Sequence, residues 1–133
     1  MDNTLHNLFD KITGDESMAG DTNYRGIYIN NSHGSLTLET ATVWIELNTT
    51  NTEISIALAG EGLDATMETI ADEDTAPIGE VFTQPANKAA GLVMGDIPFG
   101  NKYGLWLERV IAPATSAENA ATFHIKVEGD TAA

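Results

Sequence analysis

The sequence predicts an all-β protein built as a two-layer antiparallel β-sandwich, with a short helical or extended arm at its amino terminus. Three observations carry that prediction. Between Tyr24 and Leu58 apolar residues alternate with polar ones, as in Ile27/Ile29, Leu36/Leu38, Val43/Ile45/Leu47 and Ile54/Ile56/Leu58. A period of two is what a half-buried strand requires, because successive side chains point to opposite faces of a sheet. Asn- and Gly-rich turns separate these runs, and no helical stripe recurs beyond the first 20 residues.

The elements follow in order. Leu5, Leu8, Phe9 and Ile12 fall at i, i+3, i+4 and i+7, one stripe of a short helix that Asn3 or Thr4 could cap and Gly14 could end. Two turns of helix are marginal alone, so this stripe must pack on something: the end of its own β-domain or a neighbouring subunit. Residues 1–20 are therefore read as arm and linker, and 21–133 as one sandwich domain. Strands are expected near 24–30, 35–39, 42–48, 53–59, 66–70, 91–95, 103–111 and 121–128. Asn30-Asn31-Ser32-His33-Gly34 and Asn48-Thr49-Thr50-Asn51 are turn chemistry, joining their strands as hairpins or as corners between sheets. Asp72 to Ala90, with Pro77, Gly79 and Pro85, is a long irregular stretch with room for one short strand at Glu80–Phe82.

Alternation also assigns faces. Trp44 stands opposite Val43 and Ile45, Trp106 opposite Leu105 and Leu107, and Tyr28 opposite Ile27 and Ile29. These three aromatics belong on outer faces. They form an interface patch there, or a bulge or covering segment of the same chain buries them.

Composition bounds the partners. A chain of 133 residues is one domain's worth, and its 20 acids against six Lys and Arg make it formally −14. The few cations are scattered, which argues against nucleic acid and anionic membrane. The acidity suits a solvated surface, a basic partner or divalent cations. There is no cysteine, so neither a disulfide nor a thiolate site exists. The first residues lack a basic start and an apolar stretch, so the expectation is synthesis in the cytosol without a signal peptide.

Catalytic patterns are not recognisable. No Gly-x-Ser-x-Gly elbow occurs, and the serines have no convincing histidine partner. His6, His33 and His124 fall in an arm, a turn and a strand face, without zinc-ligand spacing. Among 20 acids some pair will always lie at glycosidase distance, so that signal decides nothing. Asp72, Glu73 and Asp74 are the one dense acidic cluster in a loop, either solvated or a calcium site, although the glycine and distal glutamate of a helix-loop-helix calcium loop are missing. The expectation is a non-enzymatic protein with no cofactor other than that calcium.

Tyr24-Arg25-Gly26-Ile27-Tyr28-Ile29-Asn30-Asn31-Ser32-His33, then Leu36-Thr37-Leu38 and Val43-Trp44-Ile45, resembles a family of short tailed-phage virion proteins. The likeness continues through Ala71-Asp72-Glu73-Asp74-Thr75-Ala76-Pro77, Gly95-Asp96-Ile97-Pro98, Leu105-Trp106-Leu107-Glu108-Arg109 and Val127-Glu128-Gly129-Asp130-Thr131. It spans about residues 20–133 and carries no catalytic motif. The resemblance implies an immunoglobulin-like or jelly-roll-like sandwich serving as a structural part of the virion: a capsid decoration protein or a neck or tail component. Such a part would be homo-oligomeric or present in many copies, bound to other virion proteins through Leu5, Leu8, Phe9, Ile12, Tyr28, Trp44 and Trp106. The alternative is a carbohydrate-binding or adhesion module, on a tail or fibre, with Trp44, Trp106 or Tyr103 as a stacking platform.

Overall fold

The structure, a computed structural model, describes residues 21–48, 52–111 and 123–131. It is an all-β sandwich. Among the described residues the strands are β1 (Asp21–Asn30), β2 (Leu38–Asn48), β3 (Thr52–Leu63), β4 (Leu92–Ile97), β5 (Lys102–Ile111) and β6 (Phe123–Thr131), with one 3₁₀ turn at Lys88–Ala90. One three-stranded sheet has the order β1-β5-β3 and the other β4-β2-β6, and every pairing is antiparallel.

Odd strands lie in one sheet and even strands in the other, so each connection crosses between layers. The Asn-rich turn after β1 is thus a corner and not a hairpin. Its geometry explains why. Asn31 Nδ2 donates to the Leu36 carbonyl at 2.9 Å and to the Ile97 carbonyl at 2.8 Å. The Asn31 backbone exchanges bonds with Asn101 and Gly100 in the turn between β4 and β5. Inside the corner, His33 Nδ1 accepts the amides of Ser35 and Leu36, each at 3.0 Å, so this histidine shapes a turn.

The alternating residues meet between the layers. Val43, Ile45, Ile54, Ile56, Leu105 and Leu107 are buried together with Ala41, Met94 and Ile97, while Ile27, Ile29, Phe123, Ile125 and Val127 pack around them. Burying a side chain of this size contributes about 1.5–3 kcal/mol, so this layer is the main source of stability.

Two expected boundaries are corrected. The segments 35–39 and 42–48 are one strand, β2, interrupted by a bulge where its pairing shifts between Leu38 and Thr42. Thr40 there has φ 51, with its amide held by Asp96 Oδ1 at 3.0 Å. Neither 66–70 nor Glu80–Phe82 is a strand; only the next residue, Thr83, pairs, in an isolated bridge to Ile56.

Thr40 is exposed and β-branched in a left-handed conformation, a strain of about 1–2 kcal/mol. Thr40→Asn, which keeps the amide and tolerates this backbone, is expected to stabilise the fold by about 0.5–1 kcal/mol in urea denaturation. No gain would show that the threonine side chain compensates its own strain.

Candidate docking surface

The long segment between β3 and β4 holds residues 66–70, expected as a strand, and the irregular stretch Asp72 to Ala90. It is a strap across the outer face of the β1-β5-β3 sheet. Leaving β3 at Asp64, it lays Met67 and Ile70 on that face, and returns with Phe82. Together with Ala57 and Ala59 these residues bury Trp106 to 3% exposure. Two glycines make the seat. A Cβ on Gly104 would stand 2.4 Å from Met67 Cγ, and one on Gly26 3.0 Å from Met67 Cε. The sheet is hollowed so that the methionine drops in.

Polar contacts hold the strap at both edges of that sheet. Met67 N–H donates to the Tyr28 hydroxyl at 2.9 Å, and Tyr24 N–H donates to the Glu73 carbonyl at 2.7 Å. Arg25 pairs with the Glu73 carboxylate at 3.0 Å. On the far side Thr83 exchanges two backbone bonds with Ile56. Pro85 then accepts the Ile45 amide at 2.7 Å, carrying the chain to the second sheet. Unpaired strand edges invite aggregation, and this strap covers part of both edges of its sheet. Tyr24 sits beneath it, its ring centroid 5.6 Å from that of Phe82. Burial, with its hydrogen bond to Glu108 as the second cause, pushes the Tyr24 phenol above its ordinary value.

The acidic cluster has structural tasks. Asp72 Oδ1 accepts Asp74 N–H and the Thr75 hydroxyl, Glu73 binds Arg25, and Asp74 Oδ1 accepts Asn23 Nδ2. These carboxylates close a turn and fasten it to β1. Among the described residues no three His, Asp or Glu side chains converge as a set that could hold a metal ion.

The aromatic patch is likewise corrected. Trp106 lies under the strap, and Trp44, on the outer face of the other sheet, is only 7% exposed. The two are on different sheets and neither is open to a partner or a sugar. Tyr103, the third stacking candidate, is half-buried against the core. Tyr28 remains 42% exposed, beside a shallow groove of about 600 Å³ that it lines with Arg25, Met67 and Glu73. Lys102 Nζ lies 5.3 Å from its ring centroid. Leu5, Leu8, Phe9 and Ile12 of the arm lie outside the described residues.

Sequence reading missed the two large apolar side chains that are most exposed among the described residues. Ile78 is 86% and Val81 77% exposed at the crest of the strap. The loop that carries them is tied down: Ile78 N–H donates to Glu68 Oε2 at 2.9 Å, and the side chain of Glu80, next to Val81, accepts Gly60 N–H through Oε2 at 3.0 Å. Two large apolar side chains are thus presented to solvent on an anchored loop, the form of a preorganised contact. Comparison with protein-family models, with curated proteins and with solved structures returned no match.

Proposed function

We propose that this chain is a non-enzymatic structural subunit of a phage particle, a capsid decoration or accessory virion protein bound in multiple copies. The identity of the particle rests on the resemblance of residues 20–133 described above. The observation that carries an adhesive role is the crest of the strap. Ile78 and Val81 contribute nothing to the core, yet the chain uses Glu68 and Glu80 to hold them in place. Burying both against a capsid, neck or tail protein would contribute about 1.5–3 kcal/mol each, and repeated copies would multiply the effect. The low exposure of Trp44 and Trp106 supports this reading over a carbohydrate module that stacks a sugar on either of them.

The test uses particles prepared without this protein, to which purified full chain is added back. Ile78→Ser/Val81→Ser is expected to keep the folding free energy within about 0.5 kcal/mol, because both sites are solvent-exposed. Its occupancy on co-sedimented particles should fall by about tenfold or more. Wild-type occupancy by the double variant would overturn the assignment of the crest, and failure of the wild-type chain to bind any particle would overturn the virion role.

A further inference from the structure

We propose that the outer edge of β6 is a self-docking seam, on which a second copy of this chain pairs antiparallel about Val127. The two β4-β2-β6 sheets would join there into one continuous sheet. The inference goes beyond the virion role: a dimer in solution stands or falls whether or not the protein joins a particle.

The edges differ in how they are treated. β1 is capped at Tyr24 by Glu73, and β3 at Ile56 by Thr83. β4 is six residues long and bent at Gly95, with φ 80, both devices that discourage pairing. β6 has nine residues, and among the described residues its outer edge meets no strand.

Which groups β6 presents follows from β2. The Ile45 amide points away from β6, to Pro85, and the Val43 carbonyl lies on that same side, 3.0 Å from where a Cβ on Gly91 would stand. Trp44 between them therefore turns its N–H and C=O toward β6, where its partner is Lys126. Alternation then leaves the N–H and C=O of Ile125, Val127 and Gly129 on the open edge.

A two-fold axis at Val127 uses those groups. Val127 would exchange both backbone bonds with Val127 of the second copy, and Ile125 with Gly129. The side chains between them fall into the closer, non-hydrogen-bonded pairs: Lys126 opposite Glu128, and His124 opposite Asp130. Along β6 the lysine precedes the glutamate, so antiparallel self-pairing sets the opposite charges of Lys126 and Glu128 face to face in both symmetry-related pairs. All four side chains are exposed on the outer face. Lys126 and Glu128 now have only exposed partners, Glu46 at 3.3 Å and Lys88 at 3.6 Å, pairs that contribute little in water. A lysine in an edge strand ordinarily deters pairing; in this register a glutamate receives it.

Sedimentation of the full chain over a concentration series tests the seam, in about 150 mM salt so that the −14 charge of each copy is screened. A reversible monomer–dimer equilibrium is expected. Lys126→Glu should weaken it by about tenfold or more, since both symmetry-related pairs become repulsive. Lys126→Glu/Glu128→Lys should restore it, and thermal melts of the variants report that the fold is kept. Hydrogen exchange at Ile125 and Val127 should slow as concentration rises, while the Lys126 amide, already turned to β2, stays unchanged. A chain monomeric at every concentration, a dimer indifferent to Lys126→Glu, or a double swap that fails to restore pairing would each overturn the proposal.

Discussion

Gly104→Val is expected to destabilise the protein by about 3 kcal/mol, the upper end of the cost of overpacking a filled site. The backbone gives no reason for a loss. Gly104 lies inside β5 and does not have a positive φ, so any L-residue fits its conformation, and a β-branched one suits a strand. Replacing a strand glycine without strain should even help, by about 0.4–1 kcal/mol through the unfolded chain. Most of the penalty therefore comes from Met67, whose Cγ and Sδ would lie 2.4 and 2.7 Å from the new Cβ, and the rest from Ala59, whose Cβ would lie at 2.9 Å. Met67 must leave its seat, and Trp106 loses part of its cover. The informative measurement is the double variant. Met67→Ala alone should cost about 2–3 kcal/mol as a buried truncation. Added to it, Gly104→Val should cost much less than it does alone, because the valine enters volume that the methionine has vacated and only the contact with Ala59 is left. Additive losses in urea unfolding would show that Met67 is not what Gly104 accommodates. Amide exchange gives a second reading: with the strap lifted, the Ile56 and Tyr24 amides, bonded to Thr83 and Glu73, should exchange faster.

The same pair of residues marks where sequence reading succeeds and where it stops. Ile27, Ile29, Val43, Ile45, Ile54, Ile56, Leu105, Leu107, Phe123, Ile125 and Val127 all meet in the core that their alternation predicts, because a period of two encodes the face directly. Tyr28, Trp44 and Trp106 fall on the outer faces for the same reason. Which residues cover Trp106 was not legible, since Met67, Ile70 and Phe82 follow no period and bury against a surface formed by distant strands. A signal was present in Gly26 and Gly104, interior to strands, where a missing side chain indicates close approach by something else. Thr40 misled in the opposite sense. The pattern reads 35–39 and 42–48 as two strands, and the chain instead bulges between them and continues its ladder. The crest at Ile78 and Val81 had no pattern at all, because what makes it distinctive is two carboxylates reaching back from Glu68 and Glu80.

Asn23→Ala is expected to cost about 3 kcal/mol, although the side chain is small and polar. Asn23 is buried on β1 opposite Arg109 of β5, also buried, and its Oδ1 accepts from Arg109 Nη2 at 2.6 Å. A charge-assisted bond in a buried setting is stronger than an ordinary one, and removing its acceptor leaves part of a guanidinium charge less well solvated. The amide's other end does a second job: Nδ2 donates to Asp74 Oδ1 at 3.1 Å and to Asp21 Oδ2 at 3.3 Å. Asn23 thus links the buried cation to two carboxylates, one of them on the strap. Asparagine suits this place because it accepts and donates at once. Aspartate would keep the arginine but set a third carboxylate against Asp21 and Asp74, so Asn23→Asp should also be destabilising, by about 1–2 kcal/mol. Combining Asn23→Ala with Arg109→Leu should show a coupling of about 2 kcal/mol relative to the sum of the single losses. Additive behaviour would mean that the 2.6 Å contact contributes little and that Arg109 is held by its remaining partners. Strong coupling together with faster exchange at the Tyr24 amide would establish that the core-side arginine and the acidic turn of the strap are one cooperative unit.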